Sequence, residues 1–348
     1  MKKKNIINLI KYYSEDNDAG FKNEAYEIAK DFDASGDSQL AEYIMALMSD
    51  ANTFVPQMSE NDLAFFERIE SGGDSLWLPE CITQDLLGIV HAVGHNLGVN
   101  KFLFQGAPGT GKTEGVKQLA RVLNRDIYMV DFAAVIDSKL GQTQKNISEM
   151  FREINHFVHP ENVLVLFDEI DAIALDRTHE NDLREMGRAT STMLKGLDYM
   201  NENVVLVATT NLFSYFDKAI LRRFDSVIDF NRYTKEDLMV VAEELLNKFL
   251  IKFRLANRDI RIFRKIISLL GTIPYPGELK NLIKTAVAFS DPEDGTDYLR
   301  RLYYMVTQVK PEDLNLLKAQ DFTIREIGIL TKKPKSSVAR ELKESDDE

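Results

Sequence analysis

Residues 104–113 read FQGAPGTGKT, and residues 163–171 read VLVLFDEID. Gly106, Gly111, Lys112 and Thr113 fit the spacing G-x-x-x-x-G-K-[ST], between a strand-like run and the helical-looking EGVKQLARVL. Glycine suits such a loop because the backbone must curl with its N–H groups facing inward, and the following helix adds partial positive charge at its N-terminus. The pattern predicts a cradle for a phosphate chain. Its candidate contacts are Gly106, Ala107, Pro108, Gly109, Thr110, Gly111, Lys112, Thr113 and Glu114. Lys112 would reach the β- and γ-phosphates, and the Thr113 hydroxyl would hold Mg²⁺.

Two acids leave the apolar run of the second stretch. Asp168 is placed to bind Mg²⁺ through water, and Glu169 to polarise an attacking water as a general base. Adjacent acids that merely cap a helix are the alternative. The pairing with the glycine-rich loop predicts nucleotide hydrolysis.

These residues need a sheet to hold them. The runs KFLFQG, DIYMVDF, NVLVLFD and NVVLVATTN alternate with helical segments, which predicts an α/β domain with a parallel sheet and crossover helices over residues 77–233. Before it, apolar residues at helical spacing predict a small helical module over 1–49, and turn-forming residues predict a linker with one short helix over 50–76. After it, EDLMVVAEELLNKFLIKF, DIRIFRKIISLLG and GELKNLIKTAVAFS predict an all-α lid over 234–310 and leave an extension at 311–348.

Composition sets outer bounds. The chain has 348 residues, 44% hydrophobic and 28% charged, with a net charge of −12, so bulk electrostatics exclude general nucleic-acid binding. Cys81 is the single cysteine, which excludes an intramolecular disulfide framework and fits a reducing compartment. No apolar run reaches the length of a signal peptide or membrane span, so a cytoplasmic location without membrane contact is expected. His91 and His95 stand four apart but have no Glu between them and no third ligand, so zinc chemistry is not expected.

Over roughly residues 78–290 the chain resembles the AAA+ ATPases, and within them the AAA group proper. The N-terminal helices and ENDLREMGRATSTMLKGLDYM are similar to small bacterial AAA proteins with a helical N-terminal module and a single ring. The resemblance implies a P-loop NTPase fold with ATP and Mg²⁺ as cofactors. VATTN puts Asn211 where the family orients the lytic water. FDKAILRRFDSVIDF puts Arg222 and Arg223 where the family's arginines reach a neighbouring subunit's γ-phosphate, although the family's longer pattern separates the two. The resemblance thus implies a homo-oligomer, expected to be a hexameric ring. DSKLGQTQKNISEMF is similar to the region that grips a threaded polypeptide, with Leu140 in the aliphatic place and Lys139 where an aromatic normally sits. Lys280, in the lid, is a candidate cation toward the nucleotide or a plain surface lysine.

Two functions follow as expectations. In one, the ring remodels or partially threads a polypeptide substrate or partner. In the other, it is a nucleotide-dependent switch that controls a separate effector, such as a protease or DNA-bound machinery. Residues 317–343 read as helix, short turn, helix, with Thr323 and 335–337 at helix starts, a helix-turn-helix pattern that could place Ser336, Ser337 and Arg340 on DNA. Packing of these helices on the lid is the alternative.

Overall fold

The computed structural model describes residues 3–14, 17–34, 41, 44–45, 63–72, 76–95, 98–136, 141–171, 182–215, 218–253 and 257–346. The four apolar runs become the centre of a six-stranded sheet. Its strands are β1 (Phe66–Ile69), β2 (Lys101–Gln105), β3 (Asp126–Val130), β4 (Val163–Phe167), β5 (Val205–Thr210) and β6 (Ser226–Asp229), in the order β1-β3-β4-β5-β2-β6. All pairings are parallel except β1 with β3. In β4 and β5 every residue is buried, as expected of parallel strands covered on both faces.

Strand β1 departs from the expectation of a short helix in a linker. Its two middle residues are exposed and its outer two half-buried, so no alternation marks it in the sequence. Pairing with β3 is what makes it a strand, and the ion pair from Arg68 to Asp126 at 2.7 Å closes that edge with charge.

The chain divides into units at 1–64 and 65–348. In the first, α1 (Lys3–Ser14) and α2 (Asp18–Ala34) form a hairpin, with the Tyr13 and Phe21 rings 6.2 Å apart and Ala25, Ile28 and Ala29 buried. The rest of the helical module expected over 1–49 lies largely outside the described residues.

In the second unit, α3 (Glu80–Gly94) and α4 (Lys112–Leu123) pack in one core with β2, β4 and β5. Helices α5 (Gln142–Asn155) and α6 (Asp182–Asp198) pack on each other. At their contact Gly196 faces the buried Phe151 ring, and a Cβ there would lie 2.1 Å from Cδ2. The ring is pinned edge-on to Phe167 at 6.1 Å, so it has little room to yield. Gly196→Ala is therefore expected to lower stability by about 1–3 kcal/mol despite its better helix propensity, read by urea denaturation.

The lid holds α7 (Lys235–Lys252), α8 (Ile260–Ser268), α9 (Pro276–Ala288) and α10 (Asp297–Thr307). The extension adds α11 (Leu314–Ala319), α12 (Ile324–Thr331) and α13 (Lys335–Asp346). Leu317, Phe322, Ile327, Leu330, Val338 and Leu342 of the extension share one apolar core with the lid. Arg300 strengthens that union by donating to the Ile329 carbonyl at 3.0 Å. Among the described residues no helix is long and apolar enough to cross a membrane.

Candidate active site

Strand register gathers the site. Gln105 pairs with Thr210, and Phe167 with Ala208, so β2, β5 and β4 end on one edge of the sheet. The glycine-rich loop, Asn211 and the Asp168–Glu169 pair leave those ends together, at the carboxyl edge where open parallel sheets bind ligands.

The loop is shaped by glycine and held from three sides. Gly109 and Gly111 have φ of +79° and +94°, in the left-handed region, and a Cβ on Gly111 would lie 2.6 Å from Leu76. Ala107 N–H donates to Asn231 Oδ1 at 2.8 Å, and the half-buried Tyr233 donates from its hydroxyl to the Thr110 carbonyl at 2.8 Å. From the lid, Gly277 N–H donates to the Gly109 carbonyl at 2.8 Å. A Cβ on Gly277 would sit 2.7 Å from Gly109 Cα, a backbone atom that cannot swing aside. Gly277→Ala should thus separate the lid from the loop. Losing that hydrogen bond costs about 1 kcal/mol, so nucleotide Kd is expected to rise roughly fivefold in a calorimetric titration. An unchanged Kd would show that the contact does not support nucleotide binding.

Lys112 is buried, and its ammonium donates to the carbonyls of Gly106 at 2.7 Å and Ala107 at 3.0 Å and to Asn211 Oδ1 at 2.7 Å. Desolvation pulls its pKa below the ordinary lysine value, opposed by the nearby Asp168, Asp171 and Glu169. Asn211 also donates from Nδ2 to Glu169 Oε1 at 3.1 Å, so one amide touches both the lysine and the candidate base.

Two neighbours that sequence reasoning missed hold the acids and Asn211 in place. The Thr209 hydroxyl donates to Asp168 Oδ1 at 2.6 Å and accepts from the Glu169 N–H at 2.9 Å. Buried Asp171 accepts from the Asn211 N–H at 2.8 Å and from the Thr210 hydroxyl. These contacts hold Glu169 at φ +51°, a strained backbone state for a residue with a side chain. The run TTN after an apolar strand was the available signal for Thr209 and Thr210. Nothing local to Asn231 marked it as a support for the loop.

The donor set suits Mg²⁺. Thr113 Oγ1 lies 3.1 and 3.4 Å from the two oxygens of Asp168, giving hard oxygen ligands beside the phosphate cradle. When bound there, the ion would neutralise charge on the phosphate oxygens. A cavity of about 460 Å³ opens above these residues and is lined on the lid side by Leu245, Phe249, Pro276 and Lys280, a volume in the range of small-molecule sites.

Comparison with known proteins fits this geometry. Residues 102–232 match the family described as ATPase family associated with various cellular activities (AAA). The chain carries an AAA ATPase domain. An uncharacterized AAA family ATPase, y4kL of Sinorhizobium fredii, is 34% identical over 178 residues, 48% of this chain and 53% of that protein. A putative 26S proteasome regulatory subunit homolog of Methanothermobacter thermautotrophicus is 31% identical over 152 residues, 43% of this chain and 40% of that protein. The matches span about half or less of these relatives. A chain in the E. coli MS115-1 HORMA:CdnC:Trip13 complex shares the fold, with TM-score 0.53 and 18% identity over 72% of this chain and 96% of that one. An AAA ATPase domain implies ATP and Mg²⁺ as its cofactors, which the cradle and the Thr113–Asp168 pair accommodate.

The AAA domain brings Gly106 to Glu114, Asp168, Glu169 and Asn211 together but puts Arg222 and Arg223 elsewhere. Asp225, just beyond them, accepts from the N–H groups of Asn100 at 2.9 Å and Lys101 at 2.8 Å, at the start of β2. The five residues of β2, about 16 Å of strand, separate that point from Gly106. Arg223 is half-buried, bound to Asp198 at 3.1 and 3.2 Å and to the Ala219 carbonyl at 3.1 Å. Arg222 is exposed, and its side chain has no partner among the described residues. Lys139 and Leu140 lie outside the described residues.

Proposed function

We propose that this chain is an ATP-hydrolysing subunit of a cytoplasmic homo-oligomeric ring, expected to be a hexamer, that remodels or partially threads a partner polypeptide. The position of Arg222 carries the reading. A guanidinium on the sheet edge opposite its own nucleotide site cannot serve that site, but a head-to-tail neighbour could receive it. There it would neutralise charge developing on the transferred phosphoryl group.

Within one subunit, an arriving γ-phosphate would take the Lys112 ammonium from the Gly106 and Ala107 carbonyls. Asn211, released from Lys112, would keep its Nδ2 on Glu169 and turn its Oδ1 toward the attacking water. Glu169 would then accept the water proton while Asp168 and Thr113 keep their oxygens on the metal side. Lys280, which lines the cavity from the lid, adds a cation on the same-subunit side.

Assembly is the direct test. Glu169→Gln with ATP should sediment as a multimer in analytical ultracentrifugation, and a strict monomer at micromolar concentration would reject the ring. A polypeptide substrate is supported by Leu140 at the pore-loop position of the resemblance. The switch reading has its own support, because Ile7, Ile10 and Tyr13 of α1 are all more than half exposed and offer an apolar stripe to an effector. Leu140→Ala should spare ATPase activity and abolish remodelling under the first reading. Under the second, removing residues 1–49 is the change that matters.

A further inference from the structure

The extension carries a cationic groove that ATP hydrolysis does not use. It lies between the start of α12 and the inner face of α13 and encloses about 590 Å³. Phe322 and Leu342 form a buried apolar floor. Lys318, Arg325, Lys335 and Lys343 line it, and no carboxylate lines it among the described residues. The first turns of α12 and α13 border it too, and add the partial positive charge of helix N-termini.

Glu326, the acid next to Arg325 in the chain, is already engaged. It accepts from Lys265 at 2.7 Å and from the Thr323 N–H at 2.8 Å. Arg325, Lys335 and Lys343 form no ion pair among the described residues. In a chain with a net charge of −12, a groove with only cations on its rim is a local inversion of sign.

We propose that this groove docks an acidic segment of a partner protein, with apolar residues set between its Asp and Glu side chains. The apolar residues would meet Phe322 and Leu342, and the acids would meet Arg325, Lys335 and Lys343. Charge complementarity selects the acids, and the recessed apolar floor selects a peptide over a duplex, whose phosphates gain nothing from it. Arg340, the cation expected to face DNA, has an acid beside it, as do Lys332 and Lys333 on the preceding turn. Arg340 pairs with Glu344 at 3.8 Å, Lys333 with Glu341, and Lys332 with Asp294. This docking is independent of the ring and of hydrolysis, so it is tested on the full chain without nucleotide.

The probe is a fluorescein-labelled peptide that alternates Glu with Leu and Phe, read by anisotropy. A copy with Gln for Glu and a labelled DNA duplex are run beside it. The acidic peptide should bind saturably and weaken as salt rises. Arg325→Glu with Lys335→Glu should weaken it by about tenfold or more, while Lys284→Glu on an exposed part of the lid leaves it within about twofold. Arg325→Gln with Lys335→Gln gives the same ranking with a milder change, and matching thermal melts verify folding. Absence of saturable binding overturns the proposal. So does equal binding of the Gln peptide, an equal loss in Lys284→Glu, or a duplex bound more tightly through the same two residues.

Discussion

Replacing Glu169 with Gln should leave ATP bound and lower turnover by a factor on the order of 10²–10⁴. The substitution keeps the size of the side chain and removes its negative charge and its ability to take a proton. Thr209 would still hold the main chain, because its contact there is to the Glu169 N–H, and Asp168 would keep both the Thr113 and Thr209 hydroxyls. Binding groups are therefore unchanged, and the loss falls on kcat. Single-turnover hydrolysis together with equilibrium nucleotide binding separates these quantities. Turnover at the wild-type rate would remove Glu169 from the reaction, and a large rise in Kd would make it a binding residue instead.

Arg222→Ala should reduce hydrolysis by about 10³-fold with little change in ATP affinity, because a guanidinium that meets the phosphate only from a neighbour acts mainly in the transition state. Arg223→Ala should do less. Its guanidinium is engaged by Asp198 and Ala219, and loss of a partly exposed pair costs about 1 kcal/mol or less. A mixture discriminates trans from cis action. Arg222→Ala subunits keep Glu169, and Glu169→Gln subunits keep Arg222, so about a quarter of head-to-tail interfaces in an equal random mixture would hold one of each good residue. Activity should reappear on mixing two inactive proteins. If the mixture stays inactive, or Arg223→Ala proves the more damaging change, the trans role of Arg222 is lost.

The phosphate loop was legible because its chemistry is local. Gly111, Lys112 and Thr113 are neighbours in the chain, and a strand before and a helix after them are enough to aim them. Asp168, Glu169 and Asn211 were legible for a related reason, since each sits at the exit of a strongly apolar run. Strand β1 was not. Four residues without alternation carry no periodic signal, and only β3 alongside gives their N–H and C=O groups partners. The supports Asn231, Tyr233 and Gly277 were hidden as well, because each reaches the loop from more than a hundred residues away.

The sequence by itself determined which groups could do chemistry: a glycine loop with Lys112 and Thr113, two acids, and two arginines. It determined the class of sheet as well, because runs buried on both faces must be apolar throughout. Tertiary structure decided which of those groups meet. The register of β2, β4 and β5 gathers Lys112, Asp168, Glu169 and Asn211 at one edge, and Asp225, just past Arg222 and Arg223, is tied to the start of β2 at the other. It also separated two arginines that sequence left equivalent. Asp198 lies far from both in the chain and close to only Arg223 in space, so one guanidinium is tied down and the other is left exposed. Adjacent residues share nearly the same backbone position, and only the direction of each side chain into a folded surround can divide their roles.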